Sequence, residues 1–361
     1  MWRLLMIAVF SIGLLGAVYI FFRFHRLSLV QRLGKAHPVL GWLACLLPIG
    51  ISALFCFINV YTAAVVLLHL VLIWGLCDLV SLFFRKSPRR ASIAGYIALA
   101  FTVFWMGLGW YNAHHVSLTR YTLTTDKLDA PLRVALIADS HLGITQTARN
   151  FPGEMEKLAA QQPDVLLIAG DFVDDDTPRE DMLAACQALG RLELPYGVYF
   201  IYGNHDLGYY NYRNFSSQEL IQALSDNGVT LLADETALVD GRFYLVGRKD
   251  RSFRVRESAA ALTASLDPAL YTIMLDHQPT DYDAEAAAGV DLVVYGHTHG
   301  GHLFPIGQIG LLIGPNNRRY GIEERNGAHF IVTSGISGWA VPIKTGCFSE
   351  VVLIDILPED P

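Results

Sequence analysis

Four stretches in the first 111 residues, Trp2–Phe22, Pro38–Ile58, Thr62–Phe84 and Ala91–Tyr111, are almost wholly apolar. Each has about the 20 residues that a helix needs to cross the hydrocarbon core of a bilayer. Four such runs without a polar face are too many for the buried helices of a water-soluble domain. A cleavable leader would account for the first alone. We therefore expect an all-α transmembrane region of about four helices over residues 1–111, a linker over 112–131, of which His114 to Pro131 reads as linker and first edge segment, and a second domain over 132–361. Asn59-Val60-Tyr61 leaves room only for a tight turn between the second and third runs.

Charge divides the chain at the same place. Residues 1–111 hold nine Lys and Arg and one acidic residue, Asp78, whereas the remainder holds 18 basic against 33 acidic residues. An acidic domain of this kind argues against nucleic acid as the partner, because phosphate backbones require a basic face. It suits divalent cations. Arg23, Arg26, Arg32 and Lys35 follow the first run, and Arg85, Lys86, Arg89 and Arg90 follow the third. Basic loops stay on the cytoplasmic side, so four spans put both termini, and the second domain, on the extracytoplasmic side of the cell membrane. Asp78 lies inside the third run, where a charge is costly unless it meets a partner or water.

Past Pro131, apolar runs alternate with helical patterns. Strands are expected at Leu132–Ala138, Val165–Ala169, Gly197–Tyr202, Val229–Leu232, Ala237–Val239, Phe243–Val246, Tyr271–Leu275 and Leu292–Tyr295. Helices are expected at Phe151–Gln161, Arg179–Leu189, Ser217–Asp226, Ser258–Ala264 and Tyr282–Ala288. His329–Thr333 and Ser349–Ile356 read as two long strands closing the sheet. Such alternation predicts a layered α/β domain.

Five of these strands end in Asp, Asn or His. Asp139-Ser140-His141, Gly170-Asp171, Gly203-Asn204-His205-Asp206, His277 and Gly296-His297-Thr298-His299 follow them in chain order. Ligands and catalytic groups gather at the carboxyl ends of strands in α/β sheets. A glycine beside such a residue lets the backbone turn without a Cβ clash. Imidazole mixed with oxygen donors suits Mn, Fe or Zn better than Ca or Mg.

In order and spacing these motifs resemble those of the calcineurin-like metallophosphoesterases, over about Leu132 to Ile356. The resemblance implies a four-layer α/β/β/α sandwich with two divalent metal ions, manganese first among the candidates. It also implies two ligand sets: Asp139, His141, Asp171 and His299 for one ion, and Asp171, Asn204, His277 and His297 for the other. Asp171 would bridge them. His205 would be the catalytic group that holds no metal, and Asp174 either orients it or belongs to a solvated Asp174–Asp176 turn. Asp206 would satisfy nearby backbone amides.

The substrate would be a phosphoester, with phosphodiesterase or pyrophosphatase activity, lipid-linked or from the cell envelope. Arg248-Lys249-Asp250-Arg251-Ser252-Phe253-Arg254-Val255-Arg256 offers a basic lip, with Arg248, Lys249 and Arg251 as candidate substrate contacts. The competing reading is a solvated loop paired with the acidic surface. His302 stands where relatives of this type often have Gln, and reads equally as a substrate contact or a surface residue. Thr333 to Ile343 resembles the closing motif of the membrane-associated bacterial phosphodiesterase and UDP-2,3-diacylglucosamine pyrophosphatase-like branch. A cytoplasm-facing pyrophosphatase of that kind is one alternative. A domain that binds metal or phosphate without turnover is the other.

Overall fold

The computed structural model describes residues 2–83, 88–210, 212–314 and 316–359, without the side chains of 2–10, 88, 90 and 313. Arg85 and Lys86 of the second basic loop lie outside the described residues. The chain forms two compact units that meet between Leu108 and Gly109.

The first unit contains helices α1 (Trp2–His25), α2 (Ser28–Ala36), α3 (Pro38–Ala44), α4 (Leu47–Leu54) and α5 (Val60–Ser81), and most of α6 (Pro88–His114). Three segments are long and apolar enough to cross a membrane: Pro38–Phe57, Val60–Ser81 and Ala91–His114. A fourth is counted if Ser11–His25 and Ser28–Ala36, bent by 72° at their junction, form one span. The expected four spans are therefore three or four. Ile20, Leu70, Ile73, Trp74 and Ala98 form an internal cluster, while Leu14, Leu15, Leu43, Ile51, Leu54, Val103 and Phe104 face outward. Helices apolar on all sides are what a lipid surround requires. Asn59 caps α5, its side chain accepting the Thr62 amide at 2.8 Å.

Asp78 is not left to lipid. Its carboxylate takes the guanidinium of Arg23 and the hydroxyl of Tyr19, both on α1.

Among the described residues, the second unit holds twelve strands in two sheets of six. Sheet A contains β1 (Val116–Thr125), β12 (Ser349–Pro358), β2 (Leu132–Ile137), β3 (Val165–Ala169), β4 (Val198–Ile201) and β5 (Val229–Leu231), in that spatial order. Sheet B runs β10 (Gly321–Arg325), β11 (Ala328–Val332), β9 (Leu292–Tyr295), β8 (Tyr271–Leu275), β7 (Phe243–Gly247) and β6 (Glu235–Val239). β2 to β5 are mutually parallel, as are β7, β8, β9 and β11.

Strands buried on both faces read as continuous apolar runs, and the period of two divides their side chains between layers. Leu132, Val134 and Leu136 join Leu245, Ile273, Leu292 and Ile331 between the sheets. Ala135 and Ile137 turn the other way, toward α7 (Phe151–Ala159), α8 (Arg179–Leu189) and α9 (Ser217–Asp226). On the far face of sheet B, Met274 and Val293 pack with residues of α10 (Ala259–Thr263) and α11 (Tyr282–Ala287). The result is the α/β/β/α sandwich.

The edge segment expected after His114 is β1, since Val116–Thr125 pairs along its whole length with β12 as the edge of sheet A. Two features differ from expectation. The two tail strands close different sheets, β11 joining β9 and β12 joining β2. A short apolar helix, α12 (Ile306–Ile313), follows the histidine-rich motif.

Breaking the Arg23–Asp78 pair from one side leaves a charge without its counterion among apolar helices. Arg23→Leu is expected to cost about 3–5 kcal/mol, read as a lowered thermal midpoint of the full chain in detergent. Arg23→Leu combined with Asp78→Leu should recover most of that loss.

Candidate metal centre

The turns after β2, β3, β8 and β9, and the one after β4, meet at one end of the sandwich. Their backbone is strained there. Asp139, His141, Asp171, His297, His299 and His302 all have positive φ, between 32° and 70°. Such conformations cost about 1–3 kcal/mol each in non-glycine residues and persist only where the surroundings impose them. Two glycines show how close the approach is. A Cβ on Gly170 (φ 84°) would stand 2.7 Å from His277 Nδ1, and one on Gly335 (φ 75°) would stand 2.7 Å from the Asp139 Cβ.

Asp206 holds one of these residues, Asp171, in place. Its buried carboxylate accepts the amides of Asp171 (2.9 Å), Phe172 (2.8 Å), Val173 (3.1 Å) and Gly203 (2.7 Å). The turns after β3 and β4 are thereby tied together.

All seven residues expected to hold metal converge. Ligand atoms of Asp139, His141 and His299 lie within 4.8 Å of one another, and so do those of Asp171, His277 and His297. Asn204 Oδ1 lies 3.1 Å from His277 Nε2 and 2.9 Å from His297 Nδ1. Asp171 Oδ2 is 3.1 Å from His277 Nε2 and 3.7 Å from His141 Nε2, between the two groups.

The donor set fits cations better than it fits itself. His141 Nε2 and His299 Nε2 face each other at 3.2 Å. Asp139 Oδ2 and His299 Nδ1 are buried without hydrogen-bond partners. Orphaned buried acceptors of this kind are costly in a dry interior.

Electrostatics favour the neutral form at two of the histidines, whereas at His277 the Asp171 and Asp139 carboxylates outweigh burial and raise the pKa well above the ordinary value. Burial, reinforced by the His277 charge, pushes the His297 imidazole down to about 4. Burial and the charge of His141 hold His299 well below its usual range. Both rings are therefore neutral near pH 7, the form that ligates metal. Burial would raise Asp171, but the charges of His277, His141 and His205 outweigh it and keep the carboxyl below its ordinary value.

His205 stands beside this set. Its Nδ1 meets Asp174 Oδ1 at 2.9 Å, and the other Asp174 oxygen lies 3.1 Å from His141 Nδ1. Of the two readings for Asp174, the orienting contact is the one present. Asp175 is not solvated either, since it is buried and accepts the amides of Tyr209 and Tyr210. Burial alone would lower the His205 pKa, but the bond to Asp174 and the charge of Asp171 raise it above the ordinary value. The rings of Tyr209 and Trp339 flank it at 5.0 and 5.7 Å.

The basic lip is corrected. Arg248 is buried, and its Nη1 reaches Asp276 (3.0 Å), Glu285 (2.9 Å) and Asp281 (3.3 Å). Arg256 also pairs with Asp276. Asp276 accepts the His277 amide at 2.7 Å, so Arg248 anchors a candidate ligand from behind. Its physical reason is the cluster of three carboxylates, which leaves a guanidinium no call to face solvent. Lys249 pairs with Asp234 at 3.3 Å, and Arg251 is exposed on the following turn. His302 is half-buried against His299, with ring centroids 5.5 Å apart.

Lys344 is a residue that motif spacing missed. Fully buried, it donates to the carbonyls of Ser334 (2.7 Å), Gly335 (3.2 Å) and Phe348 (3.3 Å). It pins the loop that brings Gly335 to Asp139 and Trp339 to His205. A lysine straight after Trp339-Ala340-Val341-Pro342-Ile343 is the only sequence signal for it.

Residues 132–301 match the calcineurin-like phosphoesterase family. An uncharacterized metallophosphoesterase of Aquifex aeolicus is 31% identical over 261 residues, 69% of this chain and 96% of that protein. The chain belongs to the calcineurin-like metallophosphoesterase family. Another uncharacterized metallophosphoesterase, from Helicobacter pylori, is 26% identical over 350 residues, 88% of this chain and 90% of that one. A transmembrane protein with metallophosphoesterase domain from Danio rerio is 27% identical over 238 residues, covering 62% and 52% of the two chains. Among solved structures, a dimetal phosphatase from Danio rerio aligns with a TM-score of 0.38 and 14% identity, over 57% of this chain and 88% of that one.

Asp206→Ala would strand four buried amides. A loss of about 3 kcal/mol or more is expected, measured by denaturant unfolding of the full chain in detergent. Asp206→Asn, which keeps one acceptor oxygen, should lose less.

Proposed function

We propose that this protein is a membrane-anchored, metal-dependent phosphodiesterase or pyrophosphatase whose catalytic unit faces the extracytoplasmic side. The observation that carries the proposal is the convergence of seven donor residues from five turns, with a hydrogen-bonded histidine beside them.

Two divalent cations, manganese first and iron or zinc next, would supply Lewis acidity toward the phosphoryl oxygens and lower the pKa of water. Asp139, His141, Asp171 and His299 would hold one, and Asp171, Asn204, His277 and His297 the other. Asn204 contributes a neutral oxygen, which keeps the cations' charge from being cancelled. Asp174 takes the Nδ1 side of His205 and so holds a proton available at Nε2, which the chain can deliver to the departing oxygen. Tyr209 and Trp339 flank that imidazole and restrict water around it.

Sidedness rests on the basic loops. α1 has 24 residues, about 36 Å at 1.5 Å per residue, enough to cross alone. Counted with the other three segments it gives an even number of spans. Arg26, Arg32 and Lys35 then lie inside, and the catalytic unit outside. A cytoplasmic lipid-precursor pyrophosphatase requires the opposite placement.

Purified full-length protein in detergent should hydrolyse bis-p-nitrophenyl phosphate when Mn²⁺ is added. Asn204→Ala should abolish most of this, and His205→Ala should lower kcat by about 10²–10⁴-fold. The active form of His205 is protonated, so activity falls as pH rises through its pKa. Asp174→Asn removes one of the two carboxylates that raise that pKa, and should move the basic limb of the kcat profile to lower pH. A folded protein inactive with every metal tried would instead mark a binding domain without turnover. Protease added to intact spheroplasts should digest the catalytic unit; a protected unit would reverse the topology.

A further inference from the structure

Helix α12 has the wrong surface for water. Its sequence, Ile-Gly-Gln-Ile-Gly-Leu-Leu-Ile, contains one polar side chain. Ile306, Ile309 and Leu312, three apart and so along one side of the helix, are 63%, 50% and 83% exposed. Phe304, just before the helix, is exposed as well. Contiguous apolar patches on a soluble surface mark an interaction site.

The helix is seated on the candidate metal centre. Gly307 lies directly against Gly301: a Cβ on Gly307 would stand 2.3 Å from the Gly301 Cα. Gly301 closes the short 3₁₀ turn His299–Gly301. The same region is tied to the last turn of α6, which belongs to the catalytic unit. The Phe304 amide donates to Thr345 Oγ1 at 3.0 Å, and the Lys344 amide donates to the Gly109 carbonyl at 2.8 Å. Asn112 Nδ2 reaches the Lys344 carbonyl, and Ser349 Oγ the Ala113 carbonyl.

Strand register agrees with these contacts. Val116, two residues after α6 ends, pairs with Ser349, and Val352 pairs with Leu136 near the end of β2. The metal centre therefore lies at the end of sheet A where the chain leaves α6 and enters β1. Trp110 and Tyr111, in the last turns of that helix, are exposed, and such aromatics favour the bilayer interface.

We propose that α12 is a membrane-docking helix. Its Ile306, Ile309 and Leu312 side inserts at the boundary between headgroups and acyl chains. The turn carrying His297 and His299 is thereby held at the depth of a lipid phosphate, and the site takes a phosphoester borne by a lipid headgroup. Docking stands on the geometry alone; the choice of substrate rests on the phosphoesterase reading above.

The photoreactive residue p-benzoyl-phenylalanine is placed at position 312 of the full-length chain, or at exposed position 238 on β6. Each protein is reconstituted in vesicles of phosphatidylethanolamine and phosphatidylglycerol and illuminated. A phospholipid adduct at 312, with none at 238, is the expected result. No adduct at 312, or a cross-linked pair of chains in its place, overturns docking. In a second arm, Ile309→Glu with Leu312→Glu should lower hydrolysis of a vesicle-borne phosphodiester, relative to bis-p-nitrophenyl phosphate, by about tenfold or more. An unchanged ratio overturns the lipid substrate. An inactive protein that still forms the lipid adduct would sink the phosphoesterase reading and leave docking intact.

Discussion

The carboxylate of Asp206 is the point from which the candidate centre is built. Backbone amides at Asp171, Phe172, Val173 and Gly203 all turn toward it. That fixes the left-handed conformation of Asp171, the carboxylate between both ligand groups. It also fixes the start of the segment carrying Asn204 and His205, whose amide donates back to Asp171 at 2.8 Å. One buried acid, holding no metal in any reading, thus sets the positions of three residues that would do chemistry. Burial and the charge of Asp171 push the Asp206 pKa up to about 7, while the amides it accepts act the other way and favour the carboxylate.

The two units solve the problem of burying polarity differently. In the catalytic unit, charges are gathered into networks: Arg248 and Arg256 with Asp276, Asp281 and Glu285, the last of which also takes the Tyr295 hydroxyl. In the helical unit, the described residues show a single ion pair, Arg23 with Asp78, among helices whose outward faces are apolar. Asp78 joins α5 to α1 across 55 residues of chain.

Much of this was legible in the sequence because it is local. The donor residues follow apolar runs directly, and a strand followed by glycine and an acid or histidine carries its own geometry. Membrane-length helices were legible for the same reason, although the 72° bend between α1 and α2 was not. What escaped was non-local. Arg248 reads as a surface cation until Asp276, Asp281 and Glu285, lying 28 to 37 positions further on, are folded around it. β1 reads as an edge segment, but its partner, the last strand of the chain, is not legible locally. β11 and β12 look alike in sequence, and only tertiary pairing assigns them to separate sheets. α12, eight residues long, is too short for periodicity to distinguish it from a buried strand.

The pairing of β1 with β12 has one more outcome. The strands are parallel over ten residues, with Val116 beside Ser349 at one end and Thr125 beside Pro358 at the other. At about 3.3 Å per residue the pair is some 30 Å long. Ser349 and Pro358 therefore lie at opposite poles of sheet A, the first beside the candidate metal centre and the second farthest from it.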